Sequence, residues 1–380
     1  MRVALVHNFH GDDVPSGENE VVEAEAAALR RAGVEVAVAA VRNDDLARRP
    51  LNGLQAAATV STGIGISPLR LLDGFTPDVI HVHSLFPYLG RRWFRRTDVP
   101  LVTTVHSYRA LCANGYLYRD GRVCTLCADG RPWSGVRYGC YRSRLATVPI
   151  AWANRRGPSK DALLEAACKV LVLSERSRGL MAGAGVPAAK LVVDRHFVPD
   201  ADRPAAEPGP DCPERNDAWL FVGRLTPEKG IDRLVAEWPD DVALRVLGDG
   251  PLRGVVEEAA ATKRIELLAC RPRSGVLAEM ERSFGLVFPS RWYETFGLVY
   301  IEALAAGLPT LAFRPTVVAD AVARDGTGAV ASWGGVADAV AAGRRDFDGL
   351  RRRCRATFAE HYGEAAFVAR RVELYRELAG

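Results

Sequence analysis

The sequence predicts an α/β protein made of two doubly wound domains, each a parallel sheet with helices on its faces. Three observations predict it. Short apolar runs alternate with helical segments along most of the chain, which is the pattern of repeated βα units. The alternation stops at residues 199–216, where Pro199, Pro204, Pro208, Pro210 and Pro213 sit among acidic residues, and then restarts. Such a stretch reads as an interdomain linker. The chain's 380 residues are also enough for two hydrophobic cores. The expected division is residues 1–198, the linker 199–216, residues 217–361, and a closing helical segment 362–380.

In the first domain, Arg2–Val6 reads as the opening strand and His7–Ser16 as a polar loop. Gly17-Glu18 opens a helix with Val21, Val22, Ala28 and Leu29 near one face, and Gly33 ends it before a strand at Val34–Val41. Gly17 has no Cβ, so the backbone there can come close to a phosphate or sugar, although a plain turn explains it equally well. Residues 44–75 give no clear period. Strands are expected at Asp78–His83 and Pro100–Val105, so His83 and His106 fall at carboxyl strand ends, where ligands sit in open α/β sheets. His7 follows the first strand in the same way. Each histidine also has a plain structural reading, and for His83 the two stay open. Leu145 to Ala167 reads as helical at both ends with a break at Gly157-Pro158. A strand at Lys169–Ser174, a helix at Glu175–Ala184 and the run Leu191–Val198 close the domain.

Between these elements lies a stretch rich in Gly, Arg and aromatics, residues 109–144. Cys112, Cys124, Cys127 and Cys140 stand there in a C-x11-C-x2-C-x12-C pattern. The central C-x-x-C knuckle with one cysteine on each side is a candidate structural zinc site that would staple a loop lacking its own core. Four reduced thiols, or one redox pair, is the competing reading. Four thiolates leave no open coordination position, so a catalytic metal is not expected. Arg109, Arg119, Arg122, Arg131, Arg137, Arg142 and Arg144 surround the cysteines and would either dock an anionic acceptor or stay solvated.

The second domain restarts with a strand at Ala218–Val222 and a turn from Gly223 to Gly230 that carries Arg224 and Lys229. A helix begins at Ile231. Leu244–Leu247 and Ile265–Leu268 are further strands, followed by a helix at 275–282. Phe284–Phe288 then leads through Pro289-Ser290 into a helix running from about Gly297 to Ala306, which Gly307 ends and Pro309 keeps from continuing. Thr310–Phe313 is the next strand. Glu294 therefore lies just before a helix N-terminus and Glu302 lies inside that helix. The backbone N–H groups of Phe296, Gly297 and Leu298 face the positive end of the helix dipole, a ready anion site. A carboxylate beside an anion site suits a ligand that is both anionic and rich in hydroxyls, such as a nucleotide sugar. Arg224 and Lys229, after a strand and around a turn, match a diphosphate. Lysine is scarce here, occurring only at 160, 169, 190, 229 and 263.

Composition sets outer bounds. The chain is 48% hydrophobic and 25% charged, with a formal net charge of +4. Such a mild surplus fits an anionic small ligand or an acidic membrane surface and does not call for nucleic acid. No apolar run approaches the ~18 residues that cross a bilayer. The apolar part of Met1–His7 is too short for a signal peptide. The expected compartment is the cytoplasm, with any membrane contact peripheral, and the eight cysteines are expected as thiols or metal ligands rather than disulfides.

Glu294 and Glu302 at E-x7-E spacing, with Phe296-Gly297 between them and Ala303-x-x-x-Gly307-Leu308-Pro309 after, resemble the donor-site motif of retaining family 4 glycosyltransferases. The resemblance implies the GT-B fold, two Rossmann-like domains facing across a cleft, and a nucleotide-diphosphate sugar as co-substrate. In it, Gly223-Arg224 and Lys229-Gly230 match the diphosphate-binding pair. Glu302 would bind the ribose hydroxyls and Glu294 the hydroxyls of the donor sugar, with backbone contacts from Phe296, Gly297 and Leu298. Arg271 and Pro272 would lie beside the nucleobase. His106, within Thr103-Thr104-Val105-His106-Ser107-Tyr108-Arg109, matches a histidine that contacts the donor sugar. Ser16-Gly17-Glu18-Asn19-Glu20 is similar to a stretch that faces the diphosphate, although the family often has a second glycine where Ser16 stands. The last helix would cross back onto the first domain.

No D-x-D is placed at a strand end as in metal-dependent transferases, so charge on the departing diphosphate would fall to Arg224, Lys229 and the helix N-terminus. The implied reaction keeps the anomeric configuration, and the acceptor is a hydroxyl on a glycan, a lipid-linked sugar or a natural product. The four-cysteine segment interrupts the family pattern. Two alternatives stand beside this one: a nucleotide-sugar epimerase sharing the diphosphate site but needing no acceptor pocket, and a zinc module binding nucleic acid through 109–144. The donor sugar, its nucleotide, the acceptor and the oligomeric state stay open.

Overall fold

The structure, a computed structural model, describes residues 1–11, 17–199, 216–269 and 271–380. Ser16, most of the expected linker (200–215) and residues 12–15 of the first loop lie outside the described residues. The chain forms two compact units. One comprises Met1–Arg119, Cys124–Arg195 and Val368–Gly380; the other comprises Asp120–Val123 and His196–Phe367.

The first unit holds a sheet of 6 strands in the spatial order Glu35–Arg42, Arg2–Phe9, Val79–Val82, Leu101–Thr104, Lys169–Val172, Leu191–Val193. Every neighbouring pair is parallel. The sheet is covered on both faces, which is why its strands read as unbroken apolar runs rather than as alternating ones. Val3 and Leu5 of the first strand pack with Ala26 and Leu29 of the helix Gly17–Arg31, whereas Ala4 and Val6 pack on the other side with Leu72 and Trp93. Tyr375, from the final helix Glu364–Ala379, is fully buried in the first of these layers.

Residues 44–75, without a clear period in the sequence, form the short helix Asn43–Ala47, the helix Asn52–Thr62 and a single tight turn at Pro68–Leu71. The expected break near Gly157 falls between the helices Arg144–Ala153 and Ala162–Ala166, with Gly157 at φ 78°. The Ser143 hydroxyl accepts from the Ala146 N–H to start the first, and the Asp161 carboxylate accepts from Leu163 and Leu164 to start the second.

The second unit has its own 6-stranded parallel sheet, in the order Ile265–Leu268, Leu244–Leu247, Trp219–Val222, Gly285–Phe288, Thr310–Phe313, Gly328–Ala331. Numbered by appearance, that is the order 3-2-1-4-5-6 of dinucleotide-binding sheets. Trp219, Phe221, Val287, Leu311 and Phe313 are buried on one side of it. The helices Val317–Asp325, Val336–Asp346 and Arg351–His361 complete the unit beyond the elements expected from sequence. Two doubly wound parallel-sheet domains are thus present. Among the described residues, no helix is long and apolar enough to cross a membrane.

Candidate functional site

In the second unit the strand order reverses between Trp219–Val222 and Gly285–Phe288, which pair directly. The crevice outside such a reversal is where open α/β sheets bind ligands. Two loops leave these neighbouring strands, and they are fixed to each other at Gly230. Its φ is 75°, and a Cβ there would sit 2.1 Å from the Pro289 carbonyl oxygen. No other residue fits without moving the loops apart.

That approach places Lys229 of the first loop against Glu294 of the second, with Nζ donating to Oε1 at 2.5 Å. Glu294 is only 7% exposed, and its other oxygen, Oε2, is buried with no hydrogen-bond partner. A buried carboxylate oxygen without a donor is costly, and a ligand hydroxyl is the kind of group that would relieve it. Arg224 leaves the same strand end, its Nη2 donating to Glu228 Oε1 at 3.2 Å.

The helix Leu298–Ala305 begins at Gly297, whose φ is 109° and whose added Cβ would meet Val318 Cγ2 at 2.5 Å. Phe296, just before it, is buried with its ring against His196 and Tyr362. Lower on the helix, Glu302 pairs with Arg273 at 3.0 Å. Arg271 lies at 3.5 Å from Glu279. Arg273 was not singled out in the sequence; its only signal is its place two residues after Arg271, at the start of the helix Arg273–Arg282.

In the first unit the order reverses between Arg2–Phe9 and Val79–Val82; His83 follows the second of these and His106 the neighbouring Leu101–Thr104, whereas His7, expected after the first strand, is buried within it. His106 Nε2 lies 2.9 Å from His83 Nδ1, with the two rings stacked. Beneath them, His81 Nδ1 accepts from Arg371 at 3.0 Å and His81 Nε2 lies 2.8 Å from the Thr104 hydroxyl. Arg371 is fully buried, bonded to both Glu25 and Asp194. Burial lowers His106, and burial together with neighbouring cations and histidines takes His81 and His83 well below the usual range, so all three are neutral near pH 7. Glu18, in the first turn of the helix that Gly17 opens, behaves oppositely. Burial would raise it, but the His10 hydrogen bond and the nearby His106 and His7 hold it at about 2.

Glu18, His83, His106 and Arg109 line a cavity of about 180 Å³ whose other walls are mostly apolar, among them Phe86, Pro87 and Ile150. Glu25 and Arg371 had no signal beyond ordinary helical charges; the strand-end position of the histidines and the Gly17-Glu18 stretch pointed here.

Cys112, Cys124, Cys127 and Cys140 line one small pocket. Among the described residues, the group whose ligand atoms all lie within 4.8 Å of one another is instead Glu25, His81 and His83. The thiols keep separate partners, Cys112 donating to Asn114 Oδ1 at 3.0 Å and Cys127 to the Pro132 carbonyl at 3.7 Å. Burial and the neighbouring Cys112 push the Cys127 thiol up to about 11. The Glu25–His81–His83 group is a poor metal site, because the Arg371 guanidinium already supplies its cation.

Residues 16–194 match the model of the glycosyl transferase 4-like domain, and residues 202–347 match that of glycosyl transferases group 1. A GDP-mannose-dependent alpha-mannosyltransferase of Mycobacterium tuberculosis is 30% identical over 82% of this chain and 79% of its own length. A 2-deoxystreptamine glucosyltransferase of Streptomyces kanamyceticus is 28% identical over 80% of this chain and 79% of its own. Among solved structures, a sucrose-phosphate synthase from Thermosynechococcus elongatus superposes with a TM-score of 0.70 at 19% identity, covering 99% of this chain and 98% of that one.

Proposed function

The chain belongs to the family 4-like glycosyltransferases of the GT-B fold, and from that premise we propose that it transfers a sugar with retention from a nucleotide diphosphate to an acceptor hydroxyl, without a catalytic metal. The observation that carries this reading is the Lys229–Glu294 pair at the reversal point of the second sheet, with a buried Glu294 oxygen still lacking a donor. In the proposed complex, Lys229 and Arg224 hold the diphosphate, and Glu294 Oε2 accepts from a hydroxyl of the donor sugar. Glu302 accepts from the ribose, held in place by Arg273. The backbone of Phe296, Gly297 and Leu298 faces the sugar and phosphate, and Arg271 lies nearer the base.

In the reaction, the bond from the anomeric carbon to the diphosphate oxygen breaks and its electron pair leaves with the diphosphate. The acceptor oxygen bonds to the anomeric carbon on that same face, and its proton passes to a diphosphate oxygen. Arg224, Lys229 and the helix start stabilise the negative charge that grows on the leaving group. A neutral His106, fixed by His83, supplies a hydrogen bond to the donor sugar rather than a charge, and Gly17 admits the diphosphate close to the backbone. Hydroxylated glycans, lipid-linked sugars and aglycones are all acceptors within this reading, and a peripheral membrane contact belongs to it as well. The four cysteines take a structural zinc ion in the same proposal. Their common pocket supports it, and the metal would draw in the thiols while displacing their protons.

A thermal-shift series against UDP-, GDP-, ADP- and dTDP-sugars tests the donor site. A ligand at a hundredfold its Kd adds about 2.7 kcal/mol to the native state. One nucleotide should stabilise the wild type and neither Lys229→Ala nor Glu302→Ala. Release of free nucleotide without any acceptor would move the assignment towards the epimerase-type alternative.

A further inference from the structure

Two helices of the first unit break the usual rule that a surface helix turns its apolar face inward. In Asn52–Thr62, the positions Leu54, Ala57, Ala58 and Ser61 form one stripe; in Arg144–Ala153, Leu145, Val148, Pro149 and Trp152 form another. Both stripes face outward. Leu145 is 85% exposed, Leu54 66% and Trp152 46%, with Leu51 at 73% just before the first helix. The stripes meet along a single open groove. Scattered exposed apolar side chains are ordinary, but a continuous two-helix apolar face marks a surface that leaves water.

The charge around this face is of one sign. Residues 46–72 contain arginine but no Asp or Glu, and residues 130–160 contain arginine and Lys160 and again no Asp or Glu. Arg48, Arg49, Arg144, Arg155 and Arg156 are exposed beside the stripes, and the Arg155 guanidinium lies 3.9 Å over the Trp152 ring. The chain's net charge is only +4, so this basic field is local. The opposite sides of the same two helices, through Thr59, Val60, Ile150 and Ala153, wall the cavity that holds His83 and His106.

We propose that this two-helix face docks on an anionic lipid bilayer, with Leu54, Leu145 and Trp152 entering the interface and the arginines meeting the headgroups. A second copy of the chain would bring the same positive charge to the face. Nucleic acid would use the arginines but leave the leucines and tryptophan without a function. An interface of apolar tails under anionic headgroups satisfies both. Docking here sets the cavity beside the membrane, so it deepens the transferase reading by favouring an acceptor carried on a lipid; the docking itself does not depend on that reading.

The test is flotation of the full chain with phosphatidylcholine vesicles, with and without about 30% phosphatidylglycerol, at low and high salt. Floated protein should rise at least about tenfold with the anionic lipid and fall with salt. Leu145→Ser with Trp152→Ser should lose most of the flotation at either salt, and Arg155→Glu with Arg156→Glu should lose about fivefold per arginine at low salt. All these positions are exposed, so far-ultraviolet circular dichroism and nucleotide-sugar stabilisation should match wild type. Those two readings keep a failed donor site distinct from a failed surface. Equal binding to neutral vesicles, flotation unchanged in the serine variant, or binding only to an oligonucleotide would each overturn the proposal.

Discussion

His106 Nε2 sits 2.9 Å from His83 Nδ1, so two histidines that wall the cavity are fixed against each other. Both are lowered by burial, as are His81 and His7. A histidine with a folded pKa below its unfolded value gives the native state its full stability above the unfolded value, about 6.5. Below that the unfolded chain binds protons that the folded one refuses, and stability falls as pH falls. Each such histidine contributes a slope approaching about 1.4 kcal/mol per pH unit. The melting temperature should therefore drop steadily from pH 7 to pH 5, and drop again below about 4.5 as Glu18, held at about 2, begins to lose its advantage. His83→Asn should show a shallower slope. A melting temperature flat between pH 7 and 5 would sink the idea.

The Lys229–Glu294 contact links two loops and a ligand site at once. Lys229→Ala leaves a mostly buried carboxylate without its cation, and urea unfolding should register a loss of about 2 kcal/mol. Glu294→Gln keeps a hydrogen-bond acceptor for Lys229 and should cost less stability. Both should reduce kcat/KM by about a hundredfold or more, because one acts on the leaving group and the other on the sugar. Equal stability losses with unchanged turnover would reduce the pair to a structural clasp.

Gly297 offers a sharper separation of stability from binding. Its φ of 109° and the 2.5 Å approach of Val318 Cγ2 mean that Gly297→Ala must strain the backbone and displace a neighbour. A cost of about 1–3 kcal/mol is expected, with the helix start moved away from its ligand. Nucleotide-sugar affinity should drop more in this variant than in Gly334→Ala, where φ is also positive but no atom lies within 4 Å of the added Cβ. A similar affinity in both would leave Gly297 with no special part in binding.

Much of this was legible in the sequence, for definable reasons. Strands buried on both faces are plain apolar runs, and Leu244–Leu247, Ile265–Leu268 and Thr310–Phe313 form over the expected residues. Turn glycines and strand ends located Arg224, Lys229, Glu294 and His106 because position after a parallel strand is itself a chemical signal. The ion pairs were not legible. Lys229 and Glu294 are 65 residues apart, and which carboxylate a cation meets depends on strand order, not on spacing. Arg273 gained its partner Glu302 in the same way. The outward stripes on Asn52–Thr62 and Arg144–Ala153 escaped because a helical period does not say which face is covered. Only exposure does.

The cysteine pocket makes a direct prediction. Purified protein should carry one zinc per chain by elemental analysis, and Cys127→Ser should remove it. A zinc ion binding the native state alone would raise stability strongly, so chelation should lower the melting temperature of wild type and leave the serine variant unchanged. Wild-type protein grown with zinc yet free of it, with four titratable thiols in this segment, would establish the reduced-cysteine reading.

Arg371 concerns the final helix. It is fully buried, and although burial disfavours its charge, Glu25 and Asp194 hold the guanidinium protonated. Its planar fork meets Glu25 with one nitrogen and Asp194 with another at 2.9 Å, a geometry lysine does not reproduce. Arg371→Met leaves Glu25 buried without a cation, while Asp194 keeps Arg370 at 3.2 Å, and should cost about 3–5 kcal/mol, read from the urea midpoint. Arg371→Lys should recover only part of that. Adding Glu25→Gln to Arg371→Met removes that stranded charge, so the double variant should be more stable than the sum of the two single losses allows. Strict additivity would mean that the helix is held by Tyr375 and its apolar neighbours, with the buried ions as bystanders.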